Sequence, residues 1–168
     1  SRLKTYRIAA IPGDGIGNEV IPAGIEVLEV LAAKQGFALA FEHFDWGSKR
    51  YLETGAYIPE GGLEQLKGFD AIFFGAVGAA EVPDHISLWG LRLPICQGFD
   101  QYANVRPARV LPGVESPLRD GSAVDWVIVR ENSEGEYSGS GGRVHQGLAD
   151  EVATETSVFT RRGVERIH

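Results

Sequence analysis

Apolar and polar positions follow two rhythms over the first part of the chain. "YRIAAIP" is a short apolar run broken by "GDG", which predicts a strand entering a glycine turn. "NEVIPAGIEVLEVLAAKQG" then has a helical period, with Val20, Gly24, Val27, Leu28 and Leu31 on one face and Gly36 as the stop. "FALAFEHFDW" reads as a second strand and "PEGGLEQLKG" as a short helix. "FDAIFFGAVG" is apolar enough to predict a strand buried on both sides. Buried strands separated by helices predict an α/β fold with a mostly parallel sheet and flanking helices.

The pattern changes after about residue 98. "YANVRPARVL" and "VDWVIVREN" predict strands separated by a loop rich in Pro, Gly and Asp. "SGSGGRVHQGLAD" is polar and glycine-rich, and "EVATETSVF" alternates with Val152, Thr154, Thr156 and Val158 on one side. That alternation suits a ribbon with one face covered, as by a partner chain. "TRRGVERIH" begins as a helix with Thr160 as N-cap and stops within two turns, which reads as a chain lacking its natural continuation. The expected division is 1–98, part of a larger α/β domain, and 99–168, the start of a second domain with a ribbon at 138–159.

Composition narrows the function. The chain has 168 residues, 43% of them hydrophobic, and a formal net charge of −7. That acidity repels polyanions over most of the surface and argues against nucleic-acid or membrane-surface roles. No apolar run reaches the roughly 20 residues of a bilayer span, and "SRLKTYRIAA" lacks a signal-peptide core. The single cysteine, Cys96, permits neither an internal disulfide nor a cysteine-built metal cage. A cytoplasmic protein is the default.

The turn "IPGDGIGNEV" sits where a dinucleotide fingerprint would, with Asp45 near the end of the next strand as a candidate ribose ligand. Its spacing, Gly13-x-Gly15-x-Gly17, is not the fingerprint. Pro12 removes an amide, and Asp14 places negative charge beside an incoming pyrophosphate. A structural turn and a different anion or cofactor loop both stay open.

"IPGDGIGNEV", "FFGAVG", "FDQYANVRP" and "VRENSEGEYSG", in that order, resemble the β-decarboxylating dehydrogenases. This family includes the isopropylmalate, isocitrate, D-malate and tartrate dehydrogenases. The resemblance spans essentially the whole chain and is nearest to the tartrate and D-malate members in "DHISLWGLRL", "ICQGFDQYANVRP" and "FTRRGVERI". It implies the N-terminal half of an isopropylmalate/isocitrate dehydrogenase-like fold, with the ribbon as the arm of a homodimer. It also implies NAD- and Mg²⁺- or Mn²⁺-dependent oxidation of a small 2-hydroxy dicarboxylic acid, with possible decarboxylation and K⁺ as a further candidate ion.

Such chemistry needs fixed cations for the carboxylates, and a proton donor. Arg106 and Arg130 each read as closing an apolar strand, where a guanidinium needs a carboxylate partner. That partner is a substrate, as the resemblance implies, or a glutamate among Glu131, Glu134 and Glu136. Those glutamates otherwise orient the site or face solvent. Where isopropylmalate dehydrogenase carries a third substrate arginine, this chain has Cys96. Arg92, one turn back on a helix expected to end at Pro94, is the substitute candidate; simple surface exposure is the alternative. Tyr137 is the candidate acid, since a phenol beside a cation can protonate the carbon left by decarboxylation.

By resemblance, Ile11 and the Gly75, Ala76, Val77, Gly78 loop line the nicotinamide end, where glycine lets a ring approach the backbone. A plain strand terminus is the alternative. No carboxylate cluster suits a hard cation, and the resemblance puts the metal ligands and the base beyond His168, so residues 1–168 alone are expected to be inactive. A 3-isopropylmalate dehydrogenase, or a non-catalytic binding or assembly fragment on the same scaffold, remains the rival reading.

Overall fold

The structure, a computed structural model, describes residues 3–168. The chain parts into two compact units, the first ending at Ile95 and the second beginning at Cys96.

In the first unit, β1 (Thr5–Gly13) is the central strand of a parallel sheet in the order β2-β1-β3, with β2 at Ala38–His43 and β3 at Ala71–Ala76. Its centre, Ala9 to Ile11, is fully buried. The helix α1 (Gly17–Gln35) crosses back from β1 to β2 and ends at Gly36, whose left-handed backbone (φ 75°) returns its N–H to the Ala32 carbonyl. Its core face keeps Gly24 and half-buried Leu28 of the expected one and otherwise differs from it. Val20, Val27 and Leu31 are exposed, while Gly17, Ile21 and Ala32 are buried. The helix approaches the sheet through small residues: a Cβ on Gly24 would stand 2.7 Å from the Phe73 ring. Close approach therefore selects glycine and alanine positions over the bulkier stripe.

β3 also departs from expectation. It is half-buried because it is an edge strand among the described residues, paired only with β1. A helix the hydrophobic pattern did not signal, α2 (Ser48–Thr54), follows β2, and α3 (Gly62–Leu66) precedes β3. Between them Phe44, Trp46, Tyr57 and Leu66 complete the core. From Asp84 the chain runs through α4 (Asp84–Ser87), a π-turn (Leu88–Arg92) and α5 (Leu93–Gly98). The expected stop at Pro94 does not occur. Proline lacks an N–H and crowds the preceding turn, and the widened π-turn just before it relieves that conflict.

The second unit holds two antiparallel pairs, β4 (Ala103–Arg109) with β5 (Asp125–Glu131), and β6 (Gly135–Val144) with β7 (Val152–Val158). β5 is apolar yet exposed: Trp126, Val127, Ile128 and Val129 are 47–66% accessible. The β6–β7 ribbon is exposed along almost its whole length. α6 (Arg161–Ile167) starts at Thr160, whose hydroxyl accepts from Gly163 N–H at 3.0 Å, the cap that the sequence indicates. No helix among the described residues is long and apolar enough to cross a membrane.

Candidate active site

The β4–β5 ladder sets the geometry of the two arginines. Asn104 pairs with Arg130, and Arg106 pairs with Ile128. Side chains directly opposite share a face and alternate residues return to it, so Asn104, Arg106, Ile128 and Arg130 occupy one side. Arg106 and Arg130 are diagonal neighbours, about 7–8 Å apart by ladder geometry. Arg106 does not close its strand as expected. It lies in the middle of β4, exposed, with Nε donating to Asn104 Oδ1 at 2.9 Å. Arg130, half-buried, is the penultimate residue of β5.

Tyr137 enters from β6. Arg130 donates through Nη2 to the Tyr137 hydroxyl at 2.6 Å, and its guanidinium carbon lies 5.2 Å from the ring centroid. Gln97 Nε2 donates to the Tyr137 carbonyl at 2.8 Å and anchors its backbone. Because a guanidinium only donates, the phenol oxygen is the acceptor, and its own proton is directed to another group.

The glutamates of "ENSEGE" do not pair with these cations. Among the described residues neither Arg106 nor Arg130 lies within ion-pair distance of a carboxylate. Glu131 instead accepts from Ser133 N–H and hydroxyl and from Glu134 N–H at 2.7 Å, which closes the β5–β6 turn. Burial works to raise its pKa, but those hydrogen bonds together outweigh burial and hold it below the ordinary value. The Glu134 carboxylate accepts from Thr160 hydroxyl and N–H at the start of α6, and these bonds lower its pKa. Glu136 is exposed on β6.

Around them sits a network that sequence reasoning missed. Arg166 of α6 donates to Asp100 at 3.0 Å and to the Ser133 hydroxyl at 2.8 Å, and its guanidinium carbon stacks 4.4 Å from the Tyr102 centroid. Buried Asn132 bonds the Tyr102 and Gln101 carbonyls. The only advance signal was the helical spacing that puts Arg166 on the side of α6 carrying Gly163.

In the first unit, Arg92 is the last residue of the π-turn and is half-buried. Cys96, in the second unit, is half-buried and free. Ile11, expected to line the nicotinamide end, is fully buried and paired with Phe74; it offers no surface to a ligand and supports the following loop from within the sheet. The glycines of that loop divide in role. A Cβ on Gly75 would stand 2.2 Å from the Pro12 carbonyl, so Gly75 serves packing, against the expectation of close ligand approach. Gly78, at φ 137°, has open space where a Cβ would lie, so packing does not explain it as it does Gly75. Ala76 closes β3, with its carbonyl accepting from Asp14 N–H at 2.7 Å, and Val77 follows it half-buried.

A cleft of about 850 Å³ opens at the carboxyl ends of the sheet strands, lined by Gly13, Asp14, Asn18, Asp45 and Gly78 among others, the place where ligands of open α/β sheets bind. Asp45 is exposed at its rim. Asp14 is not turned toward a ligand: it is buried, and its carboxylate is occupied by protein donors. Among the described residues no group of three or more His, Cys, Asp or Glu side chains could hold a metal ion.

Residues 7–168 match the family model described as isocitrate/isopropylmalate dehydrogenase. A probable tartrate dehydrogenase/decarboxylase of Agrobacterium vitis is 66% identical over 98% of this chain and 47% of its own length. The decarboxylating D-malate dehydrogenase of Escherichia coli is 56% identical over 98% and 47%. Among solved structures, isocitrate dehydrogenase from Methylococcus capsulatus superposes with a TM-score of 0.78 at 29% identity, over 96% of this chain and 45% of that one. The chain spans about half the length of the curated relatives it matches.

Proposed function

The chain belongs to the isocitrate/isopropylmalate dehydrogenase family, and from that premise we propose that it forms part of an NAD-linked, decarboxylating dehydrogenase acting on tartrate or D-malate. One observation carries the proposal: Arg106 and Arg130 share a ladder face, and Arg130 is hydrogen-bonded to Tyr137. Two guanidiniums held apart on one face match the two carboxylates of a small diacid better than a single anion. Identity to the tartrate and D-malate relatives supports that choice of substrate.

In this reading Arg106 and Arg130 orient the diacid, and each loses its exposure to water as a carboxylate arrives. Tyr137, accepting from Arg130, gives its proton to the substrate carbon left by loss of carbon dioxide. The guanidinium stabilises the negative charge that develops on the phenol oxygen. The open backbone at Gly78 would carry the nicotinamide ring, which would supply the hydride acceptor for the hydroxyl-bearing carbon, while the hydroxyl proton would need a base that these residues do not supply. Arg92 is proposed as a further carboxylate ligand. The described residues do not assemble a metal site, so no step here passes through one. The exposed β6–β7 ribbon suits the arm of a homodimer.

The test is an assay of the full-length protein with tartrate, D-malate and isopropylmalate under NAD, Mn²⁺ and K⁺, following NADH and carbon dioxide together. Turnover of tartrate or D-malate supports the reading; a clear preference for isopropylmalate, or no turnover of any of the three, refutes it.

A further inference from the structure

Asp14 joins three loops at the carboxyl edge of the sheet. It sits in the turn after β1, and one carboxylate oxygen accepts from Ser48 N–H at 2.7 Å, where α2 begins. The other accepts from the Ser48 hydroxyl at 2.6 Å and from Gly78 N–H at 2.9 Å. Ser48 hydroxyl is in turn 2.7 Å from the Tyr57 hydroxyl. A carboxylate on a residue only 8% exposed needs such donors, since burying it without them is costly. The turn also reaches the loop through its backbone, because Asp14 N–H donates to the Ala76 carbonyl at 2.7 Å.

The contact to Gly78 is the informative one. Gly78 follows β3 at φ 137°, a conformation that ordinary residues rarely adopt. Its side-chain side is open, so no packing there holds it. We infer that Asp14 is a positioning residue: its carboxylate grips Gly78 N–H and fixes the backbone path of the 75–78 loop on which the nicotinamide would lie. The inference rests on the cofactor reading above for its functional half; the grip itself stands on geometry alone. It also accounts for an acidic residue in a turn that otherwise looks made for a phosphate.

The test uses the full-length protein with two variants and two readouts. Hydrogen–deuterium exchange across residues 74–80 of the wild type reads the grip directly, and a Gly78 amide exchanging as fast as a free loop overturns it. Asp14→Ala removes all three acceptor contacts. Tyr57→Phe weakens the same network one bond further out and leaves those contacts intact, so it controls for general loss of stability. Asp14→Ala is expected to raise the KM for NAD about tenfold, the loss of one charge-assisted bond, with the substrate KM within about twofold. Tyr57→Phe is expected to leave both unchanged. Equal effects of the two variants on KM, or an unchanged NAD KM in Asp14→Ala, overturn the positioning role. A wild type inactive with every hydroxy diacid overturns the functional reading alone, and exchange at Gly78 then decides the grip.

Discussion

Arg130 donates to the Tyr137 hydroxyl at 2.6 Å while its guanidinium carbon lies 5.2 Å from the centre of the same ring. One cation thus touches both the oxygen and the π-face of one phenol, joining the end of β5 to the start of β6. The rest of the proposed chemistry is arranged around this pair.

Replacing Tyr137 with Phe should separate the two halves of the reaction. The ring and its stacking on Arg130 remain, while the proton donor is lost. Protonation of the enolate left by loss of carbon dioxide, and so release of the decarboxylated keto acid, is expected to slow by roughly 10²–10⁴-fold, the usual contribution of a positioned acid, with substrate KM nearly unchanged. Single-turnover assays of NADH, carbon dioxide and the decarboxylated keto acid read this, and keto-acid formation at the wild-type rate would transfer the acid role to another group.

The glycines at either end of the 75–78 loop should respond differently to alanine. At Gly75 the new Cβ meets the Pro12 carbonyl at 2.2 Å, and backbone cannot step aside cheaply. The loss of stability should reach about 3 kcal/mol or more. At Gly78 the space is open and the cost is conformational, about 1–2 kcal/mol. Denaturant unfolding of the two variants gives the order; a larger loss at Gly78 would contradict it.

Much of this was legible in the sequence, and the failures share a physical pattern. The end of α1 at Gly36 and the Thr160 cap are local chemistry, so they could be read from single residues. The buried face of α1 was read correctly at Gly24 and wrongly at Val20, Val27 and Leu31, because the pattern ranks large apolar side chains whereas the buried positions include Gly17 and Ala32 beside Ile21. α2 has too little apolar content in "SKRYLET" to show a period. The pairing of Arg130 with Tyr137 is a tertiary fact; sequence marked both residues but not their bond. Asp14 was visible as a misplaced charge, and only the fold reveals Ser48 and Gly78 as its donors.

Acid should loosen the β5–β6 turn and α6 first. Glu131 and Glu134 both titrate below the ordinary glutamate value of 4.5. Their contribution to stability is therefore complete above that value and is lost as pH falls through their lower folded values, because the unfolded chain binds the protons more readily. Thermal melts from neutral pH down to about pH 3 should show Tm falling most steeply below about 4.5. Glu134→Gln should flatten part of that slope. Equal slopes in wild type and variant would exclude Glu134 as a contributor.

The most direct test of the central claim is calorimetric titration of a small hydroxy diacid into the full-length protein and its Arg106→Gln and Arg130→Gln variants, with the matching monoacid as comparison. Two arginines gathering one diacid require that each variant lose about tenfold or more in affinity for the diacid, while the monoacid, weak throughout, responds to at most one of them. Diacid affinity unchanged in either variant would contradict the account.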